Sequence, residues 1–205
     1  CDVFEEGAKK GAEIGGCKVK VYPDFHEAIN DPDGTAVVVT TPGAFHKEPV
    51  IAAIEAGKPV FSEKPLANTA ADCKAVVDAE MASGKHLVQV GFMRRYDRGY
   101  RQVKELIDSG KFGAPMVIKC THRADGVAPD YTTAMAVTDT AIHEIDVLPW
   151  LVGDEWDEVQ CIMPKSSSKA HEGLKDPQIM IMKTKSGIVN LSLIHISEPT
   201  RHAQI

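Results

Sequence analysis

From Cys17 to His122 the chain switches repeatedly between short β-branched runs and helix-forming stretches closed by glycine. Cys17 to Tyr22 (CKVKVY) alternates like a strand; Phe25 to Asn30 is helical, and Asp31 to Gly34 is a turn. Ala36 to Thr41 (AVVVTT) is a continuous β-branched run, the pattern of a strand covered on both faces. A helix over Phe45 to Ala56 is closed by Gly57, and Lys58 to Ser62 reads as the next strand. The cycle repeats as helix Thr69 to Ser83, strand His86 to Phe92, helix Tyr100 to Ser109 and strand Pro115 to His122. Ahead of it, Phe4 to Gly15 is a further helical stretch. Such alternation predicts an α/β fold, a doubly wound parallel sheet with helices on both faces.

In sheets of this kind ligands sit beyond the carboxyl ends of the strands. Three segments occupy those ends: Thr41-Pro42, Glu63-Lys64-Pro65 and Met93-Arg94-Arg95. Asp2 stands where a dinucleotide fold places the acid that holds the adenosine ribose hydroxyls, and equally where an aspartate caps a helix. No GxGxxG loop and no Walker motif occurs in the sequence. With Asp2 as the ribose acid, the phosphate loop belongs upstream of it. The chain is therefore expected to lack the first strand and glycine loop of its dinucleotide-binding domain.

A second constellation lies in Ala136 to Gly153, AVTDTAIHEIDVLPWLVG. On a helix, Ala141, Ile145, Leu148 and Val152 gather on one face, and Asp139, His143, Asp146 and Trp150 on the other. A histidine between two carboxylates suits a general base. The same spacing also suits a solvated polar face with Asp139 as its cap. A metal-dependent hydrolase built on Asp139, His143 and Asp146 lacks any second cluster of ligands, so no metal is expected.

Composition narrows the classes further. The 205 residues are 43% hydrophobic and 25% charged, an ordinary globular balance, and the formal net charge of −6 gives nucleic acid no electrostatic handle. No apolar run reaches the ~18 residues of a membrane span. The five cysteines are scattered without a CxxC pair, which fits reduced thiols in a cytoplasmic protein better than disulfides or zinc.

The segments FSEKPLANTAADC, VQVGFMRRYDRGY, HRADGVAPDYTT and TDTAIHEIDVLPWLVGDEW, in this order and spacing, resemble the inositol dehydrogenase group of the Gfo/Idh/MocA oxidoreductases. The similarity runs from about Cys1 to Asn190. It implies a truncated Rossmann domain followed by the start of an α+β open-sheet domain. It also implies NAD as cofactor, and oxidation of one secondary alcohol of myo-inositol to a 2-keto-inositol. By position, Lys64, Asp139 and His143 match the family's catalytic residues. Asp2, Thr41, Pro42, His46, Glu63 and Lys64 match positions around the cofactor cleft, and Met93, Arg94 and His122 match the substrate side. Where inositol enzymes often read HRN, this chain reads His122-Arg123-Ala124, which leaves a related cyclitol or sugar as an alternative substrate. A non-catalytic, dinucleotide-binding regulator of the same fold would not be expected to keep all three catalytic residues. The resemblance further implies a homotetramer for the full-length protein.

The expected organisation is a dinucleotide-binding domain over residues 1–114 and a partial substrate and oligomerisation domain over 115–190. Within the latter, Glu155 to Met163, Gln178 to Thr184 and Gly187 to Leu193 read as strands. Residues 191–205 begin LSLIHISEPTR, which is similar letter for letter to a translated transposase-type sequencing adapter. They are expected to be a non-native tail.

Overall fold

A computed structural model describes residues 1–14, 19–168 and 170–196, with residue 196 described in its backbone only. The chain forms two compact units, Cys1–Gly91 and Phe92–Ile205.

The first unit is built on three short parallel strands, β1 (Val37–Val39), β2 (Val60–Ser62) and β3 (Val88–Val90), paired in that order. Val37, Val60 and Val88 share one register row, so the three strand ends fall level. Helices α1 (Glu5–Ile14), α2 (Phe25–Asn30), α3 (Lys47–Glu55) and α4 (Ala70–Ser83) complete the unit. Their starts follow the capping chemistry of the sequence. Asp24 accepts from the His26 amide at 2.6 Å and Thr69 from the Asp72 amide at 3.1 Å. The helix α4 stops at Gly84, whose φ of +68° a side chain would strain. Ile29, Val39, Val50, Ala53, Ile54, Val60 and Val76 make the core. Burial of each aliphatic side chain among them is worth about 1.5–3 kcal/mol.

The strand expected over Cys17 to Tyr22 is not found: residues 19–22 are irregular, and Cys17 and Lys18 lie outside the described residues. Alternation supplies propensity, but a strand needs a neighbour to take its amides and carbonyls. Lys20 instead pairs with Asp31 and Asp33, each at 2.8 Å.

Just past β3, a Cβ on Gly91 would stand 2.9 Å from the Phe61 ring and 3.2 Å from the Glu63 carboxylate. Gly91→Ala must displace one of them, so it is expected to cost about 1–3 kcal/mol in a urea unfolding series. An unchanged midpoint would mean that the ring and carboxylate move aside freely.

The second unit opens with a 3-10 turn, Met93–Tyr96, and helix α5 (Arg98–Asp108). Strand β4 (Val117–Ala124) leads to a π-helical segment, Ala136–Ala141, that runs directly into α6 (Ile142–Val152). Strands β5 (Trp156–Ile162), β6 (Gln178–Thr184) and β7 (Val189–Ile196) follow, giving a mixed sheet ordered β4-β7-β6-β5. Only β4 and β7 pair in parallel, which requires the long crossover between them. Along β6, Gln178, Met180, Met182 and Thr184 are buried alternately, the signature of a sheet with one covered face.

The second compact unit begins at Phe92, so residues 92–114 pack with the elements that follow them. Tyr100 and Ile107 of α5 lie against Val147, Leu148 and Leu151 of α6. The first residues of the expected tail, 191–196, lie within β7, whose alternating sequence suits a ladder; residues 197–205 lie outside the described ones. Among the described residues no helix is long and apolar enough to cross a membrane.

Candidate functional site

In the first unit the loops after β1 and β2 carry Thr41-Pro42 and Glu63-Lys64-Pro65. The Glu63 amide donates back to the Val39 carbonyl at 2.9 Å, and the Lys64 amide to the Glu63 carboxylate at 3.3 Å. Thr41 and Pro42 are exposed, while Glu63 and Lys64 are half-buried. His46, another position matched to the cofactor cleft, is fully buried, with Nδ1 2.6 Å from the Pro65 carbonyl and Nε2 2.6 Å from the Thr41 carbonyl. Carbonyl oxygens only accept, so both contacts are hydrogen bonds when both ring nitrogens carry protons. His46 thereby braces the two strand-end loops against each other.

Asp2 lines an open groove of about 420 Å³ with Gly7, Gly11 and Lys20. Its Oδ1 accepts from the Phe4 amide at 2.9 Å, just ahead of α1. The groove has room for a ribose beside this exposed carboxylate, and the absence of side chains on Gly7 and Gly11 keeps it open. These residues fit the ribose end of a dinucleotide.

In the second unit Asp139 lies in the π-helical segment and His143 in the first turn of α6. A π segment bonds i to i+5 and so re-phases the faces of the helix that follows; such segments recur at functional sites. Within α6 the observed inward stripe differs from the expected one. Ala141 and Leu148 are buried as expected, but Glu144, Val147 and Leu151 take the places expected for Ile145 and Val152. The second expected carboxylate, Asp146, is held by Arg95. Nη2 meets Oδ1 at 2.5 Å and Nε meets Oδ2 at 3.0 Å, a two-point clasp that ties the 3-10 turn to α6. Trp150 packs with the α5–α6 core.

Sequence reasoning passed over Glu144, whose side chain is 1% exposed. Its Oε1 accepts from Arg94 Nη1, and His122 Nε2 lies 2.6 Å from the same oxygen. Burial pushes the Glu144 carboxyl up, but the hydrogen bonds from His122 and Arg94 and the Arg94 charge outweigh this and hold it below its ordinary 4.5. A group lowered on folding stabilises the fold above its unfolded value, and that stability is lost as pH falls through the lowered one. Thermal melts taken downward from neutral pH should therefore show an acid limb below about pH 4.5 that Glu144→Gln flattens. An identical limb in the variant would remove this carboxylate from the account.

Next to this cluster, burial first and the Glu144 charge second push the Cys120 thiol up to about 11. Iodoacetamide should label it about a hundredfold more slowly than an unshifted thiol. The exposed Cys1 and Cys161 serve as internal references, and equal labelling of Cys120 would contradict its burial.

His122 and Asp139 line the same cavity of about 410 Å³, together with Ala124, Val127, Tyr131 and Thr140. Arg94 stands behind His122 through Glu144, and its guanidinium lies 5.6 Å from the Tyr100 ring centre. Met93 is 65% exposed at the start of the 3-10 turn. The second unit thus brings His122 and Asp139 to one cavity and ties Arg94 to His122. Lys64 stands in the other unit.

A profile for the oxidoreductase family with an NAD-binding Rossmann fold matches residues 2–92, and one for the GFO/IDH/MocA C-terminal domain matches 100–200. An inositol 2-dehydrogenase of Pseudomonas fluorescens (strain SBW25) is 54% identical over 184 residues, which are 90% of this chain and 54% of that protein. An inositol 2-dehydrogenase of Klebsiella pneumoniae (strain ATCC 700721) is 50% identical over 186 residues, 91% of this chain and 55% of that one. The crystal structure of a myo-inositol dehydrogenase from Lactobacillus casei, in complex with NAD(H) and myo-inositol, superposes with a TM-score of 0.89. It is 42% identical and covers 95% of this chain, which in turn covers 58% of that one. The chain spans about half the length of the curated relatives it matches.

Proposed function

The chain belongs to the Gfo/Idh/MocA family of oxidoreductases, and from that premise we propose that its full-length protein is an NAD-dependent inositol 2-dehydrogenase. The observation that carries this reading is the 54% identity to such an enzyme across nearly the whole chain. The residues needed for the chemistry support it.

NAD, when bound, supplies the acceptor for a hydride from the carbinol carbon. Asp2 would hold its adenosine ribose, and Thr41, Pro42, Glu63 and Lys64 would border it at the strand ends. The charge on Asp2 would disfavour a phosphorylated ribose. The carbinol carbon releases hydride only as its hydroxyl loses a proton. His143 takes that proton, and Asp139 orients the ring and stabilises its protonated form. Lys64 places positive charge where alkoxide character develops, so it stabilises the transition state more than the ground state. Met93, Arg94 and His122 position the remaining hydroxyls. We place the protein in the cytoplasm as a homotetramer; the outward face of the second sheet, with Val117 at 63% and Ile162 at 40% exposure, is available for that contact.

One observation favours a second substrate reading. Ala124 lines the cavity where inositol enzymes often carry an asparagine, so one hydroxyl partner is missing. A site built around a hydroxyl discriminates strongly for it, and its loss opens the way to a related cyclitol or sugar. The test is NADH formation by the full-length protein with a panel of inositol isomers and sugars. Turnover with myo-inositol and NAD is expected. Turnover with another cyclitol alone would move the substrate, and none with any polyol would overturn the reading.

A further inference from the structure

The inward stripe of α6 runs Ala141, Glu144, Val147, Leu148, Leu151, a carboxylate set among aliphatic side chains. Nothing in the proton transfer above uses it. A lone charge in such a stripe is costly unless paired, and here one oxygen, Oε1, takes both Arg94 and His122. The other, Oε2, is buried and makes no hydrogen bond among the described residues. The pairing is therefore directed at two specific side chains and does not simply satisfy the carboxylate.

The consequence for His122 follows from donor and acceptor chemistry. An ionised carboxylate only accepts, so Nε2 of His122 is the donor in the 2.6 Å contact. The neutral ring then has its proton on Nε2, and Nδ1 is left as an acceptor. His122 also lines the 410 Å³ cavity, so this choice sets what the cavity wall offers to a ligand.

We propose that Glu144 is a positioning residue for polyol recognition: it fixes His122 as the Nε2–H tautomer, so that Nδ1 accepts from a substrate hydroxyl, and it anchors Arg94 beside it. This rests on the reading of the protein as a polyol dehydrogenase, and it adds a residue that touches neither the substrate nor the cofactor. Glutamine at this position keeps the volume but brings an amide that can donate to Nε2, which reverses the tautomer.

The experiment uses the full-length protein and Glu144→Gln, with steady-state kinetics and nitrogen NMR of histidine-labelled samples. KM for the polyol is expected to rise about tenfold or more, with kcat and the KM for NAD changed less than about threefold. In the spectra, His122 of the parent carries its proton on Nε2, and the variant shifts it toward Nδ1. A polyol KM within about twofold of the parent, in a variant that melts normally, would overturn the proposal. So would an Nδ1–H tautomer in the parent, which is decisive even where the variant fails to fold. If the parent oxidises no polyol, the functional reading fails by itself, and the tautomer of the parent still decides whether Glu144 sets the ring.

Discussion

Replacement of His143 by asparagine in the full-length protein is expected to lower kcat for inositol oxidation by about 10²–10⁴-fold, with the KM for NAD little changed. The carbinol proton must leave as hydride departs, and an amide has no basic nitrogen to take it. Lys64→Met is expected to cost about 10²–10³-fold, the scale of one preorganised charge removed from a developing oxyanion. On the proposed mechanism both residues act on one oxygen, so the double variant should lose much less than the product of the two. NADH absorbance under saturating NAD measures all three. A His143→Asn enzyme within about tenfold of the parent would take the base role away from this residue.

Arg94→Met is the substitution with the largest expected effect on stability. It leaves Glu144, buried in the α6 stripe, with His122 as its only partner on Oε1. Removing one member of a fully buried pair typically costs about 3–5 kcal/mol. Arg94 is 16% exposed and His122 stays in place, so about 2–3 kcal/mol is expected here. Urea unfolding measures it, and the double variant with Glu144→Gln tests the cause. The stranded charge is then gone, so the two losses should fall short of additivity by about 1 kcal/mol or more. Strict additivity would assign the loss to packing on Tyr100 instead.

The parallel sheet was legible because Ala36 to Thr41 and its counterparts are β-branched runs between capped helices, a local pattern that tertiary contacts did not override. The strand over Cys17 to Tyr22 was misread because alternation says nothing about whether a neighbour exists to complete a ladder. The inward face of Ala136 to Gly153 was misread because residues three and four apart share one side of a helix, and spacing alone does not say which of them packing turns inward. Packing turns Glu144 inward toward Arg94 and His122 and leaves Asp146 to Arg95. Glu144 left a signal all the same, since it lies three residues after Ala141 and four before Leu148, inside the apolar stripe. His46 carried no such mark: a histidine shortly after a strand end reads alike as a ligand contact or as a strut. Its two carbonyl partners show the bracing contact, which the sequence alone does not.

The most direct test is a crystal structure of the full-length protein with NAD and myo-inositol. The Lys64 ammonium and the His143 imidazole should both lie within about 3 Å of a single carbinol oxygen, with the hydrogen on that carbon facing the nicotinamide. Lys64 and His143 in separate pockets, reaching different atoms of the sugar or none, would contradict the account.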